Sequence, residues 1–282
     1  MSAAMSLEFA ITHETGIGQA AITGPLAGVW PKDIPTATLG GMEIAVIDRA
    51  LSAEYMANWA VARRNSGKPP FYITSANGQV ISLCATNREV KALFDDADLI
   101  HADGSPMVAV SQFACAHPVP ERAATTDLFH DVAEVAQRVG ASFFLLGARE
   151  EIIRAAEANV RKLYPHLKLV GARNGYFKRE EESAVIAEIN DAAPDILWVG
   201  LGVPLEQAFI SRNLMALDRV GLVKTTGGLF DFLSNTKSRA PEWMQRMGLE
   251  WLYRASLEPT RLGWRYLTTN PHAMWLLLTK SK

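Results

Sequence analysis

The run Ala97-Asp98-Leu99-Ile100-His101-Ala102-Asp103-Gly104-Ser105-Pro106 joins an apolar stretch to a turn and a helix start. Pro106 suits the first helical position and Ser105 can cap that helix, which leaves Asp103 at the tip of a buried strand. A carboxylate there can act as a general base on a bound ligand. Capping the helix itself, or bracing the turn, is the alternative use of the same side chain. Asp96-Ala97-Asp98 matches the Asp-x-Asp triplet that holds a divalent cation on a nucleotide diphosphate. However, Asp95 and Asp96 fall in a polar helix-to-strand link and Asp98 opens the strand, so the triplet reads as a solvated turn and no metal site is expected. His13, His101, His117, His130, His166 and His272 form no His-x-x-x-His pair. No Gly-x-Ser-x-Gly elbow and no Walker loop occurs, so zinc hydrolysis, serine hydrolysis and P-loop chemistry lack their parts.

A second group lies near the C-terminus. Arg254, Glu258, Arg261 and Arg265 are spaced i, i+4, i+7 and i+11, an approximate helical stripe that Pro259 interrupts. It reads as a solvated basic face, as a clamp whose guanidinium forks hold phosphates, or, with the Trp and Tyr residues around it, as an interfacial membrane anchor. From Arg239 onward there are seven Lys/Arg against three Asp/Glu, on a chain whose overall balance is −2. Four of the seven tryptophans, Trp243, Trp251, Trp264 and Trp275, fall in the same stretch.

Short apolar runs at Phe71 to Thr74, Asp98 to Ala102, Ser142 to Gly147, Leu167 to Gly171, Asp195 to Gly200 and Gly221 to Thr225 alternate with stretches of helical period. That alternation predicts an α/β fold: a Rossmann-like parallel sheet flanked by helices, with a C-terminal helical appendage. In such sheets ligands sit beyond the carboxyl ends of the strands, where helix N-termini offer unpaired N–H groups, here after Gly147 and Gly202. Residues 1–36, rich in Gly and Pro, read as an extended leader, 37–237 as the α/β catalytic domain and 238–282 as the basic, Trp-rich appendage, which Pro241, Pro259 and Pro271 divide. Removing the appendage from Ser238 is expected to leave the core folded.

The 282 residues are 49% hydrophobic and 21% charged, which excludes a disordered or collagenous chain. Near-balanced charge gives no reason to expect nucleic acid as a partner. Cys84 and Cys115 are too few for a disulfide framework and fit a reducing compartment. No run of about 18 apolar residues and no signal peptide is present, so the expected place is the cytoplasm.

At these residues the sequence resembles the WecG/TagA/CpsF glycosyltransferase family, from about Thr38 to Tyr266. Arg239-Ala240-Pro241, Gly248-Leu249-Glu250-Trp251-Leu252-Tyr253-Arg254 and Glu258-Pro259-x-Arg261 carry the family's RAP…GLEWLYR…EPxR signature. Ala102-Asp103-Gly104, Arg122 with Asp127 and Leu128, Gly175-Tyr176-Phe177 and Phe230-Asp231 add to it. The resemblance implies transfer of a sugar from a UDP-sugar to a polyprenyl-diphosphate-linked saccharide at the inner face of the cytoplasmic membrane, with inversion, without an essential metal and without a cofactor. It makes Asp103 the general base. It assigns Ser75, Asn77, Gly104, Arg122, Asp127, Gly147, Gly202, Glu206 and Gln207 to the donor, and Arg254, Arg261 and Arg265 to the acceptor diphosphate. Arg265 stands one place beyond the family's third arginine, where this chain has Trp264. The family's Gly-x-Pro-Lys-Gln-Glu is here Gly202-Val203-Pro204-Leu205-Glu206-Gln207, which argues for a different donor sugar. Thr125 replaces a family Gly, which alters a turn that Gly would enter at little cost. A homo-oligomer is compatible with all of this. The competing readings are a nucleotide-dependent oxidoreductase on the same sheet, for which no strand-linked Gly-x-Gly-x-x-Gly exists, and a non-catalytic membrane-docking scaffold.

Overall fold

A computed structural model describes residues 28–64, 66–241, 243–244, 247, 250–257 and 263–282, without the side chains of Arg254, Trp264, Arg265 and Tyr266. Six strands form one sheet, all pairs parallel: β3 (Phe71–Ala76), β4 (Leu99–Ala102), β5 (Ser142–Gly147), β6 (Lys168–Arg173), β7 (Ile196–Gly200) and β8 (Leu222–Thr225), in the order β4-β3-β8-β7-β5-β6. Each falls on one of the six apolar runs; all but the half-exposed edge strand β6 are buried nearly throughout, and strands covered on both faces need apolar residues at nearly every position. A two-stranded antiparallel hairpin, β1 (Thr36–Leu39) and β2 (Met42–Ala45), precedes them and was not expected.

Helices cover both faces. On one side α1 (Arg49–Arg63), α5 (Thr125–Val139), α6 (Glu150–Leu163) and α9 (Leu229–Leu233) pack over Phe143, Leu145, Trp198 and Leu222. Trp198 lies edge-on to Phe129, with centroids 4.9 Å apart. On the other side α7 (Glu182–Ala192) and α8 (Leu205–Asn213) cover Phe144, Leu146, Leu197 and Val199. Beside them α2 (Gly78–Thr86), α3 (Arg88–Asp95) and α4 (Ser105–Ala114) enclose Ala76, Ile100 and Ala102. Strands β5 and β7 are neighbours whose following helices, α6 and α8, leave to opposite faces, which opens a crevice at their carboxyl ends.

Two features depart from the sequence reading. Ser105 does not cap α4; Gly104 is the N-cap and Pro106 lies inside the first turn. The C-terminal helix α11 (Trp264–Thr279) runs through Pro271 rather than ending there. An interior proline costs roughly 3 kcal/mol, and the burial of Ala273, Leu276 and Leu277 beyond it offsets that cost. The chain end then pairs with β1: Lys282 N–H donates to the Thr38 carbonyl at 3.0 Å, and Thr38 N–H donates back at 3.2 Å. The last helix is thus part of the core around Val80, Ile81 and Cys84, which runs against the expectation that the core would fold without it. At the other end, Pro31 and Ile34 of the segment read as leader are buried, and Trp30 packs on Phe71. Residues 1–27 lie outside the described residues.

Candidate active site

Strands β3 and β4 end side by side, Ala76 opposite Ala102, and the Asp103 N–H closes the junction on the Ala76 carbonyl at 2.7 Å. The Asp103 side chain is 22% exposed. Its Oδ1 accepts both Nε and Nη2 of Arg122, each at 3.2 Å. Its Oδ2 has only long contacts, 3.4 Å from Thr125 Oγ1 and 3.5 Å from Thr125 N–H. Thr125 opens α5, whose N-cap, Ala124, has no side-chain acceptor to offer. The carboxylate therefore faces the positive end of α5, not that of α4.

Arg122 also reaches outward. Its Nη1 donates to Glu250 Oε2 at 2.9 Å, and Glu250, 5% exposed, is the first residue of α10 (Glu250–Leu257) in the appendage. Burial works against the Arg122 charge, but the Asp103 and Glu250 carboxylates outweigh it and hold the guanidinium above its ordinary range. Arg239, of the Arg-Ala-Pro element, bonds Asp127 in the first turn of α5, with its Nε 4.0 Å from Glu250. Asp127 also meets Arg49 at 3.6 Å. Alternating charges thus run Asp103, Arg122, Glu250, Arg239, Asp127, and they tie the appendage to the edge of the sheet.

Below the strand ends lies a buried polar layer. Lys224 in β8 has no exposed surface, and its Nζ donates to Ser75 Oγ at 2.7 Å. Burial pulls its ammonium down to about 8, against the attraction of Asp103 and Glu206. Glu206, 2% exposed, accepts N–H groups from Gly202 at 3.1 Å and Gly227 at 3.0 Å, bracing the loops after β7 and β8. Burial pushes its carboxyl up to about 7 in spite of those bonds. Gln207 donates to Thr74, which meets Thr225 at 2.7 Å, while Gln207 Oε1 and Thr226 Oγ1 are buried without a partner. His101 bonds Ser52 through Nε2 at 2.5 Å; burial, then the Lys224 charge, hold it well below the usual imidazole range.

The other expected residues divide. Asn77 commits its carbonyl oxygen to Val80 N–H as the N-cap of α2, and Gly104 packs against the Asn77 backbone. Gly147 and Gly200 face each other across β5 and β7; Gly147 has φ +152°, and a Cβ there would lie 2.3 Å from the Gly200 carbonyl oxygen. Only glycine permits this pinch at the crevice floor. Yet the first turn of α6 carries Glu150 and Glu151, and that of α8 carries Glu206, so these two helix ends already hold carboxylates. The first turns of α2 and α4, at the β3 and β4 ends, contain none and are better placed to attract an anion. Arg254 lies on α10 and Arg265 on α11, with side chains outside the described residues, and Arg261 lies outside them altogether.

Asp98 accepts the Tyr72 N–H at 2.7 Å, Asp95 pairs with Lys91 and Asp96 with Ser211, so the Asp-x-Asp triplet is spent on structure. Among the described residues no group of three or more His, Cys, Asp or Glu is placed to hold a metal ion. A cavity of about 440 Å³ lies between α5, α6 and α9; it shares Arg239 with the ion network but none of the Asp103 partners. Sequence reasoning passed over Lys224, Glu250 and Arg239 as site residues. A lone lysine inside an apolar strand run was the available signal for the first, and the Arg-Ala-Pro and Gly-Leu-Glu-Trp motifs for the others.

The chain is 29% identical over 210 residues to an N-acetylglucosaminyldiphosphoundecaprenol N-acetyl-beta-D-mannosaminyltransferase of Bacillus subtilis (strain 168), covering 74% of this chain and 80% of that protein. The model of the glycosyl transferase WecG/TagA/CpsF family matches residues 37–282, from β1 through the last helix, and the chain is a glycosyltransferase belonging to that family.

Proposed function

We propose that this enzyme moves a sugar from a UDP-sugar to a polyprenyl-diphosphate-linked saccharide in bacterial surface-polysaccharide or exopolysaccharide synthesis, with inversion and without a bound metal. The observation that carries the reading is the Asp103 carboxylate at the open edge of the sheet, held through Oδ1 by Arg122 and with Oδ2 in only long contacts. In the displacement Oδ2 takes the proton of the acceptor hydroxyl, and the acceptor oxygen bonds to the anomeric carbon from the side opposite the nucleotide. The bond from that carbon to the diphosphate oxygen then breaks, and UDP departs with the electron pair. The N-termini of α2 and α4 and the appendage arginines, Arg254, Arg261 and Arg265, meet the charge that gathers on the leaving group. The acceptor class is supported by the Bacillus subtilis relative, whose name specifies an undecaprenol-diphosphate-linked N-acetylglucosamine.

A lipid-linked acceptor calls for contact with a membrane surface. No helix of the described residues is long and apolar enough to cross one. On α11, however, Leu267, Pro271, Met274, Trp275 and Leu278 are exposed at i, i+4, i+7, i+8 and i+11, an apolar stripe opposite the buried Ala273, Leu276 and Leu277. Trp251, Leu252 and Leu257 on α10 are exposed as well. Such a face beside basic residues fits peripheral binding at headgroup depth, at the cytoplasmic side of the inner membrane.

The test is Asp103→Asn, assayed by UDP release from a panel of UDP-sugars with a polyprenyl-diphosphate-linked N-acetylglucosamine acceptor. Loss of general-base help predicts a fall of roughly 10²–10⁴ in rate, with UDP still raising the thermal midpoint. A rate within threefold of wild type would overturn the assignment.

A further inference from the structure

Beneath Asp103 the mechanism leaves one buried cation unused. Lys224 lies in register with Ile73 of β3 and Trp198 of β7, with no exposed surface. Its Nζ donates to Ser75 Oγ at 2.7 Å and to the Thr225 carbonyl at 3.1 Å. Ser75 Oγ is 3.4 Å from Thr125 Oγ1, and Thr125 Oγ1 is 3.4 Å from Asp103 Oδ2. The ends of this row decide its direction. An ammonium has no lone pair and can only donate; an ionised carboxylate has no proton and can only accept. Each hydroxyl between them owns a single hydrogen, so Ser75 must accept from Lys224 and donate to Thr125, and Thr125 must donate to Asp103. A buried lysine costs more than an apolar side chain of similar length would, so packing does not account for it.

We propose that Lys224 is a positioning residue of the transfer reaction: through Ser75 and Thr125 it sets the direction of a hydrogen-bond chain that ends on Asp103 Oδ2 and orients that oxygen toward the acceptor hydroxyl. The inference rests on Asp103 as the base. The charged and titratable groups facing Lys224 are Asp103 and His101 of the β4 segment and Glu206 of α8. With its ammonium brought down to about 8, Lys224 is charged and the chain directed below that pH. Above it the neutral amine gains a lone pair, can accept from Ser75, and no longer fixes the direction.

The full-length enzyme is assayed by UDP release with the lipid-linked acceptor. Lys224→Met and Thr125→Val each lower kcat by about tenfold to a hundredfold, the scale of a misoriented catalytic group, with KM for the UDP-sugar within twofold. Thr125→Ser, which keeps the hydroxyl, retains the rate. The wild-type kcat falls above about pH 8 and that limb is absent in Lys224→Met, while the double variant is no slower than the slower single one. A Thr125→Val kcat within twofold of wild type, effects that multiply, or an alkaline limb that persists in Lys224→Met overturns the inference. Should Lys224→Met not fold, the Thr125→Val and Thr125→Ser contrast decides alone, because both keep the backbone N–H at the start of α5. If Asp103→Asn is inactive while Lys224→Met and Thr125→Val run at full rate, only this inference falls; if Asp103→Asn is itself active, the base assignment falls with it.

Discussion

Removing Arg122 makes a sharper test of the site than removing either of its partners, because it leaves two carboxylates facing each other. Arg122 gives two N–H groups to Asp103 at 3.2 Å and a third to Glu250 at 2.9 Å. Its side chain is 24% exposed and that of Glu250 only 6%, so the interaction lies between an exposed pair, worth about 0–1 kcal/mol, and a buried one, whose breaking costs about 3–5 kcal/mol. Arg239 at 4.0 Å from Glu250 compensates in part. The Arg122→Ala variant is therefore expected to lose about 3 kcal/mol, and Glu250→Gln alone about 1–2 kcal/mol.

The double variant decides the matter by sign. Once Arg122 is gone, converting Glu250 to Gln removes a buried charge that has lost its 2.9 Å ion pair, so the substitution that destabilises the wild type should stabilise Arg122→Ala. The coupling energy, about 2 kcal/mol or roughly thirtyfold, is read from urea unfolding of the four proteins at pH 7, with kcat/KM for the lipid-linked acceptor measured in parallel. Additivity within about 0.5 kcal/mol would refute the claim that α10 is bound to the sheet edge through Arg122.

Two further outcomes follow from burial. Glu206 has its carboxyl raised from 4.5 to about 7, so the native state binds its proton more tightly than the unfolded chain does, and stability falls as pH rises through that window, by up to about 3 kcal/mol. Lys224 is lowered from 10.5 to about 8, and its contribution rises again between those values; urea midpoints across pH 5 to 10 read both limbs, and Glu206→Gln should flatten the first. Truncation before Trp264 uncovers the partners of Leu276 and Leu277, about 3–6 kcal/mol of apolar burial, a large share of a domain's usual 5–15 kcal/mol; an unchanged urea midpoint would contradict the packing of α11.

What was legible in the sequence was what periodicity and motif carry. Strands β3, β4, β5, β7 and β8 show as apolar runs because burial on both faces leaves little room for polar positions, and the edge strand β6 shows through the alternation of buried Leu169 and Ala172 with more exposed neighbours. The hairpin β1–β2 escaped because four residues hold too few alternations to register. The Ser105 cap was misread because Gly104, extended at φ −147°, ψ 122°, takes the N-cap position one residue earlier. Asp103 was legible from its place at a strand end. Arg122 was named through the resemblance, but its ion pairs were not legible, since Glu250 stands 128 residues away and ion pairing between distant segments leaves no spacing to read. Lys224 stood in view as a lone lysine within the four residues of β8, but strand periodicity does not say that its amine is buried against polar partners.

The appendage therefore has two attachments of different physical character. At its far end α11 is held by apolar burial against α2 and by the pairing of Lys282 with Thr38, interactions that salt and pH hardly touch. Near the chemistry, α10 meets the sheet edge through Glu250 and Arg122, while Trp251, Leu252 and Leu257 remain exposed. Charge networks respond to neighbouring charges and apolar contacts do not. A diphosphate arriving beside Asp103 would compete with Glu250 for Arg122 while the far end of α11 holds its place. Arg122 is thus shared between the carboxylate proposed as the base and the first residue of α10.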